Sequence, residues 1–171
     1  SFADYIHGVP DKFCAPEAAR DLAMAAFKRA MKLAPQDVEH LIGIGASSSL
    51  VKPDGERAGR EHKTYIAVQT CNDTVTYEFN VNPGKEEHTR EEEESFVSDR
   101  ILEILAIACG DDPDGRNITI MSNPEYLVKA QGVGASPKYL EILTGQEKYI
   151  AFLADNKLID TYPQSRVIFP G

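Results

Sequence analysis

The chain is short of cysteine, of positive charge and of long apolar runs, and each shortage excludes a class of function. Three cysteines, Cys14, Cys71 and Cys109, stand far apart among 171 residues, with no CxxC pair or cysteine–histidine cluster. That spacing does not suit a zinc site, and an odd, scattered set makes no disulfide frame. Reduced thiols in a cytoplasmic protein are the expectation, with no metal and no cofactor. Lysine and arginine number 18 against 27 aspartates and glutamates, for a formal net charge of -9. Phosphate attraction dominates affinity for nucleic acids, so a nucleic-acid partner is not expected. A small anionic ligand needs only a few local cations and N–H groups and stays open. The longest apolar stretch, 104–109, is far short of the roughly 20 residues a membrane-spanning helix needs, so no membrane partner is expected. No signal peptide is read here; with Ser1 rather than Met in first place, an upstream targeting segment stays open. There is no internal repeat or low-complexity segment.

What is present is an ordinary globular composition, 42% hydrophobic and 26% charged, enough for one domain with a full core and an appendage. Residues 16–34 read as a strong helix. Pro16 suits its first turn, and Ala19, Ala23, Phe27, Ala30 and Ala34 recur at helical spacing before Pro35 stops it. Residues 39–44 predict a short central strand that empties into a small-residue loop, Gly45-Ala46-Ser47-Ser48-Ser49. Residues 63–70 and 74–81 read as strands of a hairpin around Asn72-Asp73. Thr89-x-x-Glu92 is a capping box opening a second helix. Its buried stripe is Val97, Ile101, Ile104 and Ala108, widened by Leu105, and its C-terminal cap is Gly110. The run Glu91 to Glu94 reads as a solvated face that compensates the helix dipole, because adjacent glutamates point around a helix rather than converge.

From Asp111 the texture changes to a linker, 111–115, and a strand at 118–121. Short helices are expected at 124–131 and 137–143, and a hairpin of 147–153 with 157–159. A last strand is expected at 166–169. The expected fold is α/β: a mixed sheet with helices on both faces, plus a small C-terminal segment with a β-hairpin. The expected division is 1–110 for the α/β domain and 111–171 for the linker, short helices and hairpin.

A strand that empties into a small-residue loop is how α/β proteins bring backbone N–H groups near an anion. The candidate ligand residues are therefore Gly43, Gly45, Ala46, Ser47, Ser48 and Ser49, with Arg60, His62 and Arg90. The serines read equally well as a solvated loop, and His62 as a surface histidine at a strand entry. Arg60, with Lys52 and Arg57, reads either as a phosphate contact or as an exposed basic loop. Arg90 at a helix N-terminus opposes the dipole, which calls for a ligand or a glutamate to hold it. Ser48, His62 and Asp99 could be drawn as a triad, but no nucleophile-elbow pattern accompanies them.

These elements, with Ile42-Gly43-Ile44-Gly45-Ala46-Ser47 and Lys63-Thr64-Tyr65-Ile66-Ala67-Val68, resemble the CinA C-terminal domain family. There the loop reads Thr-Gly-Ile-Ala-Gly-Pro-Gly-Gly and leads to a Gly-Thr-Val-Tyr-Ile-Ala strand. Arg29-Ala30 resembles the end of the family's alanine-rich helix. Glu61-His62-Lys63 resembles the Gly-Glu-His-Arg segment of a eukaryotic-type branch, which precedes a nucleotidyltransferase domain opening with Pro-Gly. The chain ends Val167-Ile168-Phe169-Pro170-Gly171. Bacterial members are nicotinamide-nucleotide amidohydrolases, so the resemblance implies nicotinamide mononucleotide or a related nucleotide as ligand. It covers about residues 1–110.

The departures bear on catalysis. The family's serine lies in a Glu-Ser-Cys-Thr-Gly-Gly segment, which would fall before Ser1. Its lysine precedes a Gly-Val element; aligned on Gly8-Val9, residues 1–11 contain no lysine. Ile42 replaces the loop threonine, while Arg90 falls on the arginine of a Gly-Asp-Arg segment. The expectation is a degenerate CinA-like domain, with no catalytic residue assigned, that binds a pyridine nucleotide or serves a regulatory or assembly role beside a nucleotidyltransferase. The alternatives are an active amidohydrolase whose serine lies upstream, and a structural dimerisation domain. A homo-oligomer is compatible with all three.

Overall fold

The computed structural model describes residues 12–52, 60–110, 127–133, 149–154 and 157–163, the last three segments by backbone alone. The expectations at 118–121, 137–143 and 166–169 lie outside them.

Helix α1 spans Pro16–Leu33, with Pro at its first turn, Glu17 near its N-terminus and Lys32 near its C-terminus. A 3-10 turn at Pro35–His40 follows, and strand β1 runs Gly43–Ser49. Two corrections fall here. The strand starts later than the apolar pattern predicts, and the supposed small-residue loop at 45–49 is the strand itself. The reason is packing. A Cβ on Gly43 would sit 2.1 Å from the Ala23 carbonyl oxygen, and one on Gly45 would sit 2.3 Å from that of Ala19. Glycine in β1 and alanine in α1 let two backbones approach closer than larger side chains allow.

Strands β2, Lys63–Gln69, and β3, Thr74–Asn80, form the expected hairpin. Its turn is closed by Thr70, whose N–H donates to the Asp73 carbonyl at 2.9 Å and whose Oγ1 accepts the Asp73 N–H at 3.0 Å. Helix α2 spans Arg90–Ala108 and begins with the expected capping box. Glu92 N–H donates to Thr89 Oγ1 at 3.2 Å, and Thr89 N–H donates to Glu92 Oε2 at 2.7 Å. Gly110, with φ of +74°, follows its last turn.

Strand β4, Leu127–Val133, lies largely in a stretch expected to be helical, and adds to the edge of β3. Pairing with β3 overrides a weak local helix signal. Among the described residues the sheet order is β1-β2-β3-β4, with each of its pairings antiparallel. Among the described residues the mixed character expected from the sequence does not appear, because β1 and β2 pair antiparallel. Strands β5, Tyr149–Ala154, and β6, Lys157–Pro163, pair antiparallel as a separate two-stranded sheet.

Alternation along β2 divides the packing. Ile66 and Val68 join Tyr77, Phe79 and Ile104 in the main apolar cluster, against which Ile44, Ala46, Phe96 and Ile101 pack. Ala67 packs with Ala19 and Ala23 of α1, and Tyr65 flanks them. Phe96 meets Phe79 edge-on at 6.4 Å, with the Arg100 guanidinium 5.2 Å from its ring centre.

Candidate functional site

One corner of the sheet gathers polar groups. There β1 leaves the sheet at 50–52, β2 enters it at 60–63, β3 leaves it at Val81 and Asn82, and α2 begins. Two of these ends are held by side chains from the other two. Asn82 Oδ1 accepts the His62 N–H at 2.6 Å, and Asn82 Nδ2 donates to the Arg60 carbonyl at 2.7 Å. The Val81 N–H donates to the His62 carbonyl at 2.8 Å. From α2, Glu93 Oε2 accepts the Val51 N–H at 2.7 Å, and Arg90 Nη1 donates to the Val51 carbonyl at 3.0 Å. Arg90 also pairs with Glu94 at 2.7 Å, which offsets its unfavourable place at the positive end of the helix.

At the centre is a buried pair. His62 Nδ1 lies 2.5 Å from Glu93 Oε1, and the two residues are only 2% and 1% exposed. This overturns two expectations: His62 is not a surface histidine, and Glu93 is not part of a solvated acidic face. Both positions carry a readable signal. Glu93 stands four residues before Val97 and so extends the stripe of Val97, Ile101 and Ile104 by one turn. His62 continues the period-two face of Thr64, Ile66 and Val68. His62 pairs with Glu93, while Asp99 is exposed, so the Ser48–His62–Asp99 arrangement is not formed.

The remaining candidates separate. Because β1 is a strand, Ser47 and Ser48 face opposite sides of the sheet. Ser47 Oγ donates to the Phe13 carbonyl, next to Cys14, whose thiol lies 3.6 Å from the Lys63 carbonyl oxygen. Ser48 Oγ lies 2.7 Å from Thr64 Oγ1, on the His62 side. Ser49 pairs with Lys63 in register. Gly43 and Gly45 face α1, and Ala46 packs against the main cluster. Thus Arg60, His62 and Arg90 come together at one corner, with Ser48 on the same face, whereas Ser47 and the glycines do not.

Electrostatics differ across the sheet. The Glu78 carboxylate, 2.8 Å from Lys63 Nζ, raises the lysine's pKa by hydrogen bonding. Burial raises that of Tyr65, with Glu78 adding to it. The Thr89 hydrogen bonds hold the Glu92 carboxyl below its usual range. On α1, burial, with Lys32 adding to it, pushes Lys28 down to about 8.

Among the described residues, no three His, Cys, Asp or Glu side chains gather as metal ligands. Among the same residues, no helix is long and apolar enough to cross a membrane. The corner fixes backbone positions at two chain ends and holds an imidazole by a carboxylate, with exposed Arg60 at one of those ends. Comparison with known proteins returns no match: no family model, no curated protein and no solved structure is significantly similar to the chain.

Proposed function

We propose that this chain is a degenerate CinA-like domain, an α/β fold with one helix on each face of its sheet, that binds a pyridine nucleotide such as nicotinamide mononucleotide. The ligand would lie at the corner of Arg60, His62 and Arg90, in a cytoplasmic protein where the domain regulates or assembles with a nucleotidyltransferase. One observation carries the reading: residues Arg60, His62 and Arg90 meet where Asn82 and Glu93 hold two chain ends in place. Exposed Arg60 supplies a cation for a phosphate, and exposed Ser48 supplies a hydroxyl.

A second reading, an active amidohydrolase, is favoured by the His62–Glu93 pair, because a carboxylate-held imidazole is the arrangement a general base requires. Its nucleophile would be the family serine upstream of Ser1. A structural dimerisation role is the third.

Thermal shift with nicotinamide mononucleotide, nicotinic acid mononucleotide and NAD, with product analysis of the same samples, separates them. A ligand at about 100 times its dissociation constant adds roughly 2.7 kcal/mol, a shift of several degrees for a chain of this size. Stabilisation without turnover, reduced by Arg60→Ala, supports binding alone. Release of ammonia supports the amidohydrolase. No shift with any of the three sinks the nucleotide reading and leaves assembly.

A further inference from the structure

Glu93 faces two groups at once. Its Oε2 accepts the Val51 N–H at 2.7 Å, and its Oε1 meets His62 Nδ1 at 2.5 Å. The two side chains are 0% and 3% exposed, so water does not compete for either oxygen. Leu50, Val81 and Val97 pack into an apolar cluster next to this network in the chain or one helical turn on. The imidazole cannot slide away from the carboxylate, because the His62 backbone is held on both sides: its N–H by Asn82 Oδ1 and its carbonyl by the Val81 N–H.

We propose that Glu93 is a positioning residue that fixes a proton on His62 Nδ1. An ionised carboxylate only accepts, so the nitrogen facing it must donate. A free neutral imidazole prefers its proton on Nε2; here a buried acceptor reverses that preference. The ring then presents Nδ1 as a donor toward α2. This property needs no ligand and stands or falls apart from the nucleotide reading.

The test is a two-bond 1H–15N correlation spectrum of the whole chain near neutral pH, with His62 assigned by its loss in His62→Asn. The wild type should show Nδ1 protonated. In Glu93→Gln the side-chain carbonyl keeps the Val51 N–H and the amide NH2 turns toward Nδ1. The proton should then move to Nε2, changing the tautomer ratio by at least about tenfold, as befits loss of a hydrogen bond to a charged group. A bare Nδ1 in the wild type overturns the proposal, and so does a folded Glu93→Gln chain whose proton remains on Nδ1. The wild-type spectrum decides even where the variant fails to fold.

Discussion

Replacing Gly43 with alanine should cost far more than a single methyl suggests. The new Cβ would lie 2.1 Å from the Ala23 carbonyl oxygen, 2.5 Å from the Phe27 nitrogen and 2.7 Å from Phe27 Cβ. Two of these are backbone atoms of α1, which no rotamer change can remove, so helix and strand must separate by close to an ångström. That separation loosens the contacts of Ala19 and Ala23 with Ala67. Against it stands the lower entropy of the unfolded alanine chain, worth about 0.4–1 kcal/mol in favour of the variant. Overpacking of a well-filled interface costs about 1–3 kcal/mol, and contact with rigid backbone puts Gly43→Ala near the top of that range. The expected net loss is about 2 kcal/mol, a fall in Tm on the order of 4–8 °C. Urea unfolding followed by circular dichroism measures it, with an unchanged m-value marking a stability effect rather than a changed denatured state. Gly84→Ala is the contrast. It has φ of +71° and no atom within 4 Å, so only left-handed strain of about 1–2 kcal/mol applies. A Gly43→Ala chain within about 0.5 kcal/mol of wild type would refute the close-packing argument for the glycines of β1.

Other consequences follow from single groups. Glu93→Ala removes the acceptor of the Val51 N–H and of His62 Nδ1 in a buried site and should destabilise by about 1–3 kcal/mol for each bond lost, read by the same urea titration. Thr89→Ala removes the hydroxyl half of the capping box and should cost about 1 kcal/mol, with fraying seen as faster amide exchange at Glu92. Lys28 titrates near 8 in the folded chain and near 10.5 unfolded, so the unfolded state holds more protons between those values. Stability should therefore rise as pH increases through that window, and Lys28→Met should flatten that part of the profile in denaturation midpoints taken from pH 7 to 10.5.

The sequence alone determined features whose cause lies within a few residues. Helix α1 ends beside Pro35, Thr89 and Glu92 cap α2, and Asn72-Asp73 turns the hairpin, because proline, a capping box and a turn act locally. Arg60, His62 and Arg90 were legible as candidates through their residue types and a resemblance, but not their assembly. Tertiary structure decided the rest. Gly45-Ala46-Ser47-Ser48-Ser49 reads as a loop by composition, and only the backbone of α1 lying against it makes a strand of small residues the better-packed state. The antiparallel order follows from which strands meet, a choice that hydrophobic periodicity does not encode. Glu93 reads as solvated because three other glutamates adjoin it. What buries it is His62, 31 residues away along the chain, and a charge leaves water only where a partner and hydrogen bonds await it.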